Sequence, residues 1–344
     1  MMKRNEIRQL REQNLGVTVF VSEVLEWIGN HNLWNLWVPK SYGGLELSLS
    51  EGLQKLKTLA YIDGSLGWTI TLCSGANYFV GNLDKDIAQL LFLNERPPIL
   101  GGSGGVFGVA EEYEGYYRIS GNWQYATGSL YLSHFTLNAK ILKNGKEVKE
   151  KDGSPMVRSF VLPKEKVKVV PDWDAMGLVA TVTHSFEVND VKIDRKYSFQ
   201  YNEVYLSQPI FKIPFSLFVD ITLWVNYLGM VEHFLEESQP FLSDKKLQSL
   251  KTAISYANQK IFHFSEEIEN TIQEQKCFTK EYMQKVHSCA VDSVSDFSRA
   301  LIEVYPNLGI KACRKEHPLN QIFRDYFTAT QHHVFSREGK NNIH

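Results

Sequence analysis

The hydrophobic period of this chain changes twice along its length, and few architectures accommodate that order. From about residue 5 to 95 the apolar residues recur every three or four positions, the spacing of amphipathic helices. From Pro97 to about Phe199 the pattern turns to alternation and short β-branched runs, with candidate strands at 116–120, 135–142, 157–162, 167–170 and 185–191. Gly145 and the pair Asp152-Gly153 mark turns between them. From about Ile210 the helical period returns in two long runs, Leu247, Leu250, Ile254, Ala257, Ile261, Phe264, Ile268, Ile272 and Met283, Val286, Ala290, Val294, Phe297, Leu301, Val304. Thr279 is placed to cap the second run, and Pro306 with Gly309 to end it. The expectation is an α+β multidomain chain: a helical domain over 1–95, a β domain over 96–205 and a helical bundle over 206–344.

Composition excludes other classes. With 344 residues the chain can bury a large core, and 37 basic against 39 acidic residues leave a net charge of −2, which supports neither a disordered chain nor a nucleic-acid binder. Cys73, Cys277, Cys289 and Cys313 are far apart in sequence and form no C-x-x-C pair, so no metal is expected and a reducing, cytoplasmic setting fits. The polar start, Met1-Met2-Lys3-Arg4, shows no secretory signal. The apolar stretch 213–231 is read as a bundle helix, not a membrane span, because Asp220 near its middle would be costly in lipid.

Four local patterns, in order, carry a family resemblance. They are Trp37-Val38-Pro39-Lys40-Ser41-Tyr42-Gly43-Gly44 followed by Asp63-Gly64-Ser65-Leu66-Gly67-Trp68; the run from Gly115-Tyr116 to Tyr125-Ala126-Thr127-Gly128-Ser129; Trp173-Asp174-Ala175-Met176-Gly177-Leu178-Val179-Ala180-Thr181; and Pro318-Leu319 with Arg324-Asp325. Over roughly residues 36 to 335 the chain resembles the acyl-CoA dehydrogenase superfamily. It is most similar to the branch of two-component flavin monooxygenases that includes the p-hydroxyphenylacetate hydroxylase oxygenase component and the dibenzothiophene monooxygenases. The resemblance implies a middle β-barrel or sandwich, a C-terminal four-helix bundle, and a flavin, FAD or FMN, held between them. It also implies a small-molecule substrate, a flavin reductase as partner, and assembly as a dimer or tetramer.

The resemblance also implies site residues. Thr127 falls where relatives present a donor to the flavin ring and Tyr125 where many have an aromatic residue beside it; Gly128, Ser129 and Arg324 join them as cofactor-binding candidates. Such a cradle needs small residues for close approach, polar atoms at the ring edge and an apolar wall. Gly101-Gly102-Ser103-Gly104-Gly105 lacks the lysine of a Walker loop and corresponds to the family's segment leading over the flavin. Trp68, Cys73 and Asn77 are expected to line the substrate pocket, and His134 and His184 to be exposed strand residues.

The chain departs from the dehydrogenases at their catalytic glutamate. Counting without gaps from Arg324-Asp325, its place is taken by His333; the alternative position holds Val219, and Glu338-Gly339 falls too late. In the monooxygenase branch a histidine near the chain end serves instead, which makes His332 and His333 the catalytic candidates, expected to exchange protons near neutral pH. The leading expectation is an oxygenase that uses reduced flavin. A true acyl-CoA dehydrogenase with an unusual base and a flavin-free binding protein of the same fold are the alternatives. Leu308-Gly309-Ile310-Lys311-Ala312 keeps one glycine where dehydrogenases place a pair against the FAD pyrophosphate, which leaves FMN as eligible as FAD. About 36 residues precede the Trp37 motif, so trimmed opening helices and a more open pocket are expected.

Overall fold

Ser48 opens the first long helix with a capping box: its hydroxyl accepts from the Glu51 N–H, and the Glu51 carboxylate accepts from the Ser48 N–H at 2.9 Å. In the computed structural model, which describes residues 2–335, the helical part before the sheet comprises α1 (Arg4–Asn14), α2 (Ser22–Asn30), α3 (Leu49–Ile62), α4 (Gly64–Asn77) and α5 (Lys85–Phe92). Asp63 alone separates α3 from α4 and caps the latter, its Oδ1 accepting from Leu66 N–H at 2.8 Å. Nearly every residue of α4 is buried, which identifies it as a central helix without a solvent face.

The strands are β1 (Leu100–Tyr113), β2 (Tyr116–Ala126), β3 (His134–Lys143), β4 (Lys146–Glu147), β5 (Val157–Pro163), β6 (Lys168–Val170), β7 (His184–Asp194) and β8 (Ser198–Phe199). They form one sheet in the order β6-β7-β2-β1-β3-β5-β8, with β4 paired to β3. Five of these strands lie where alternation placed them. The glycine run 101–105, which the resemblance matches to a segment leading over the flavin, forms the first part of β1, parallel to β3 with register breaks after Ser103 and Val106. Glycine hid this strand, because it supplies no alternating side chains. Trp123, Phe135, Phe160 and Phe186 fill the sheet's buried face, and the Trp123 indole donates to Asn138 O at 2.9 Å.

Four helices follow: α6 (Phe215–Ser238), α7 (Gln248–Gln273), α8 (Lys280–Val304) and α9 (Pro318–Ala329). Thr279 caps α8 as expected, accepting from Tyr282 N–H at 3.1 Å. Helix α6 packs on α3 and α4 as well as on α7, α8 and α9, so the two helical regions share one core. That sharing explains its near-continuous burial. No helix among the described residues is long and apolar enough to cross a membrane; Asp220 of α6 is instead buried against His287 of α8, with 3.1 Å between Oδ1 and Nδ1.

Candidate functional site

The strand end at Ala126 meets the stretch 173–183 in an unusually strained piece of backbone. Tyr125, Leu178 and Val182 all have positive φ, at 63°, 52° and 42°, and Gly128 has 78°. For a β-branched residue such as Val182 this conformation costs about 1–3 kcal/mol and persists only where the surroundings enforce it. Such strain clusters at functional sites. The Tyr125 side chain is 67% exposed at the lip of a small polar pocket of about 120 Å³ that Gln124, Asp172, Trp173, Thr183 and Ser185 also line.

Hydrogen bonds tie the two segments together. Ser129 Oγ donates to Val182 O at 2.6 Å, and Gly128 N–H donates to Thr181 O at 2.8 Å. Thr127, Thr181 and Thr183 are buried, with Thr127 Oγ1 3.1 Å from Thr183 Oγ1 and Thr183 Oγ1 2.7 Å from Thr181 Oγ1. Thr181 Oγ1 in turn donates to Leu178 O at 2.6 Å. His184 opens β7, and its Nδ1 accepts from Trp173 N–H at 2.9 Å.

The Arg324-Asp325 pair grips the same stretch from helix α9. The Arg324 guanidinium donates through Nη1 to Met176 O and through Nε to Asn320 Oδ1 at 2.8 Å, while Asp325 Oδ1 accepts from Leu178 N–H at 2.6 Å. Gly177 lies between these anchors, where a Cβ would stand 2.2 Å from Arg324 O, so only glycine fits. Arg324, expected as a cofactor ligand, thus spends two of its donors on the protein itself. Asp325 is buried, and Oδ2 has no hydrogen-bond partner. Burial, and then the nearby Asp63 carboxylate, hold its carboxyl far above the usual range; burial raises Asp63 too.

At the other end of α9 the helix stops at Ala329, and His333 lies beyond it in a short 3-10 turn over His333–Phe335. His332 sits just before that turn, its N–H donating to Ala329 O at 3.0 Å and its ring 5.6 Å from Trp68, edge to face. Trp68 also meets Tyr227, which meets Phe335 at 5.7 Å, giving an aromatic wall. His332 Nδ1 is buried without a hydrogen-bond partner. Burial and then the neighbouring His333 push the imidazole down to about 3, so it is neutral at physiological pH and does not titrate near neutrality as expected. His333 is exposed, and its ring lies 4.7 Å from that of His332. Glu338-Gly339 lies outside the described residues.

The three pocket candidates on α4 do not line one cavity. Trp68 faces His332, whereas Cys73 points at the strand end, with Sγ 3.8 Å from Thr127 O. Asn77 is committed to structure: its amide donates to Asn35 Oδ1 and Pro98 O and its carbonyl accepts from Leu100 N–H, which fixes the start of β1. Thr181, Thr183 and Asp325 carry contacts that sequence reasoning left unassigned; the only signal was the Thr-Val-Thr alternation following Met176-Gly177-Leu178. Among the described residues no cluster of His, Cys, Asp and Glu could hold a metal ion.

The strand end fits a flavin ring. It offers an exposed aromatic face in Tyr125 beside a small polar pocket, behind which Gly128 lets the turn pack on Cys73, where a Cβ would come 2.9 Å from Sγ. Thr127 adds a hydroxyl oxygen with lone pairs to spare.

The whole architecture matches a solved flavin protein. XiaF from Streptomyces sp., a structure in complex with FADH2 and glycerol, superposes with a TM-score of 0.85 at 19% identity, covering 96% of this chain and 90% of that one. The fold is that of flavin monooxygenase oxygenase components. Among curated relatives, the indole-3-acetate monooxygenase of Pseudomonas putida is 28% identical over 218 residues, 62% of this chain and 54% of its own. The oxygenase subunit HsaA of a flavin-dependent monooxygenase from Mycobacterium tuberculosis is 20% identical over 234 residues, 65% of this chain and 58% of its own. The chain spans about half the length of the curated relatives it matches. No family model matches it.

Proposed function

We propose that this chain is the oxygenase component of a two-component flavin monooxygenase on the acyl-CoA dehydrogenase fold, taking reduced FAD or FMN from a separate reductase. The observation that carries this reading is the strained strand end at 125–129, lined by hydroxyls and opening beside an exposed aromatic ring; the neutral imidazole of His332, set against an aromatic wall on the same helix α4 that reaches the strand end through Cys73, is its proposed complement. The relatives' names support it. Reduced flavin bound there would supply the electrons that activate dioxygen, one atom of which enters the substrate while the other leaves as water.

The protein's own residues supply everything else. Tyr125, Thr127, Gly128 and Ser129 hold and orient the ring, with Ser129 acting through Val182. Trp68, Tyr227 and Phe335 exclude water and favour an aromatic substrate. Neutral His332 presents one hydrogen-bond donor and one acceptor, which orient a substrate hydroxyl or ring N–H by hydrogen bonding. A dehydrogenase would need a carboxylate base, and the two family positions hold His333 and Val219.

The test is an aerobic assay with NADH, a general flavin reductase, FMN or FAD, and indole-3-acetate or 4-hydroxyphenylacetate as probes. Hydroxylated product that requires both the chain and flavin is expected. Failure to bind either flavin in either redox state would overturn the reading.

A further inference from the structure

The buried threonines form a chain of hydroxyls whose direction can be worked out by counting hydrogens. Each hydroxyl has one hydrogen to give. A carbonyl oxygen only accepts, so the Thr181 hydrogen goes to Leu178 O. The 2.7 Å contact between Thr181 and Thr183 must then be filled by the Thr183 hydrogen. With that hydrogen committed, the 3.1 Å contact between Thr183 and Thr127 is filled by the hydrogen of Thr127. All three donors point inward and the chain ends on Leu178 O, which also accepts from the Trp173 indole N–H at 3.0 Å and, more distantly, from the Thr181 backbone N–H at 3.2 Å. Leu178 is itself pinned through its N–H by Asp325.

The Thr127 hydrogen is therefore committed inward, and where the ring is held as proposed above, Thr127 offers it lone pairs alone. This matters because flavin changes hydrogen-bonding character at N5 with redox state. Oxidised isoalloxazine presents a lone pair there and seeks a donor, whereas two-electron reduction places a hydrogen on N5, which seeks an acceptor.

We infer that Thr181 and Thr183 are specificity-determining residues that lock the Thr127 hydroxyl as an acceptor and so make the cradle select reduced over oxidised flavin. This deepens the function proposed above and rests on it. Thr181 acts through the hydroxyl chain as a positioning residue, and Thr183, which lines the pocket beside Tyr125, sets the direction of the Thr127 hydroxyl. The selection is built into buried protein hydroxyls, so it operates before any substrate binds.

The test uses the full chain and anaerobic titrations with FMN and FAD, oxidised and dithionite-reduced, for wild type, Thr183→Val, Thr181→Val and Thr183→Ser. In Thr183→Val the Thr127 hydrogen loses its inward acceptor and turns outward; in Thr181→Val the Thr183 hydrogen is released toward Thr127, with the same result. Each valine variant is expected to lower the ratio of oxidised to reduced dissociation constants about tenfold, which lowers the two-electron potential of bound flavin by about 30 mV. Thr183→Ser keeps the hydroxyl and the wild-type ratio. A merely structural role would weaken both redox forms alike and leave the potential unmoved. Ratios within about twofold of wild type in both valine variants would sink the inference. Should Thr183→Val not fold, Thr181→Val and the serine variant decide it. A wild-type chain that binds neither flavin overturns the oxygenase reading itself, whereas binding with an unchanged ratio in the variants overturns only the role of these threonines.

Discussion

The two regions proposed to act together are built on opposite principles. At the strand end the hydroxyls of Thr127, Ser129, Thr181 and Thr183 are all engaged by the protein, and three non-glycine residues are held at positive φ to achieve it. At the chain's end His332 has a buried ring nitrogen with no partner and a ring held by aromatic contact alone. The first is a finished frame, costly in local strain and stiff. The second keeps a polar group in reserve, at the penalty that any unpaired buried nitrogen carries. Rigidity where a ring must be held and unspent hydrogen bonding where a substrate must be oriented is a division of labour that one region could not supply.

That contrast can be broken most sharply at His332. His332→Ala is expected to cut product formation about tenfold to a hundredfold while the chain still folds and binds flavin, because it removes the imidazole that orients the substrate and nothing of the frame. Product analysis beside a flavin titration checks it, and comparable loss of flavin binding would erase the distinction. Gly177→Ala is the converse, an injury to the frame. Its Cβ would meet Arg324 backbone, which cannot swing aside, so a loss of about 3 kcal/mol or more is expected in urea unfolding, with flavin affinity falling in parallel.

Asp325 sharpens the comparison through pH. Its carboxyl and that of Asp63 are raised, so between the usual carboxylate range and the raised values the folded chain binds more protons than the unfolded one. Stability must therefore fall as pH rises through that window. Unfolding midpoints from about pH 5 to about pH 8 should decline in wild type and flatten in Asp325→Asn; Asp325→Ala, which orphans the Leu178 N–H, should cost about 1–3 kcal/mol at the low end of that range. A wild-type profile that rises over this range contradicts the sign. The smallest effect belongs to Ser129→Ala, about 1 kcal/mol for the bond to Val182 O, read by thermal unfolding and leaving turnover nearly intact.

Much of this was legible in the sequence. The long helices α7 and α8 and the Thr279 cap follow from periodicity and capping chemistry, which are local. The strand at 100–113 was not, because its glycines erase the period that reveals a strand. The site divides the same way. Thr127 and His332 could be singled out by resemblance, but whether a hydroxyl donates or accepts, and where an imidazole titrates, depends on partners far away in sequence. Asn77 shows the reverse error: a polar residue on a helix near the site reads as a ligand contact until three backbone and side-chain partners claim it.

The grip of Arg324 and Asp325 on Met176 and Leu178 joins segments about 150 residues apart into one mechanical part. For anyone recombining such chains, the last helix is therefore not a portable module. A chimera that imports a foreign α9 would have to import residues 173–183 with it, and crossover points belong before Trp173 and after Thr183, or within the long helices that lie outside this joint.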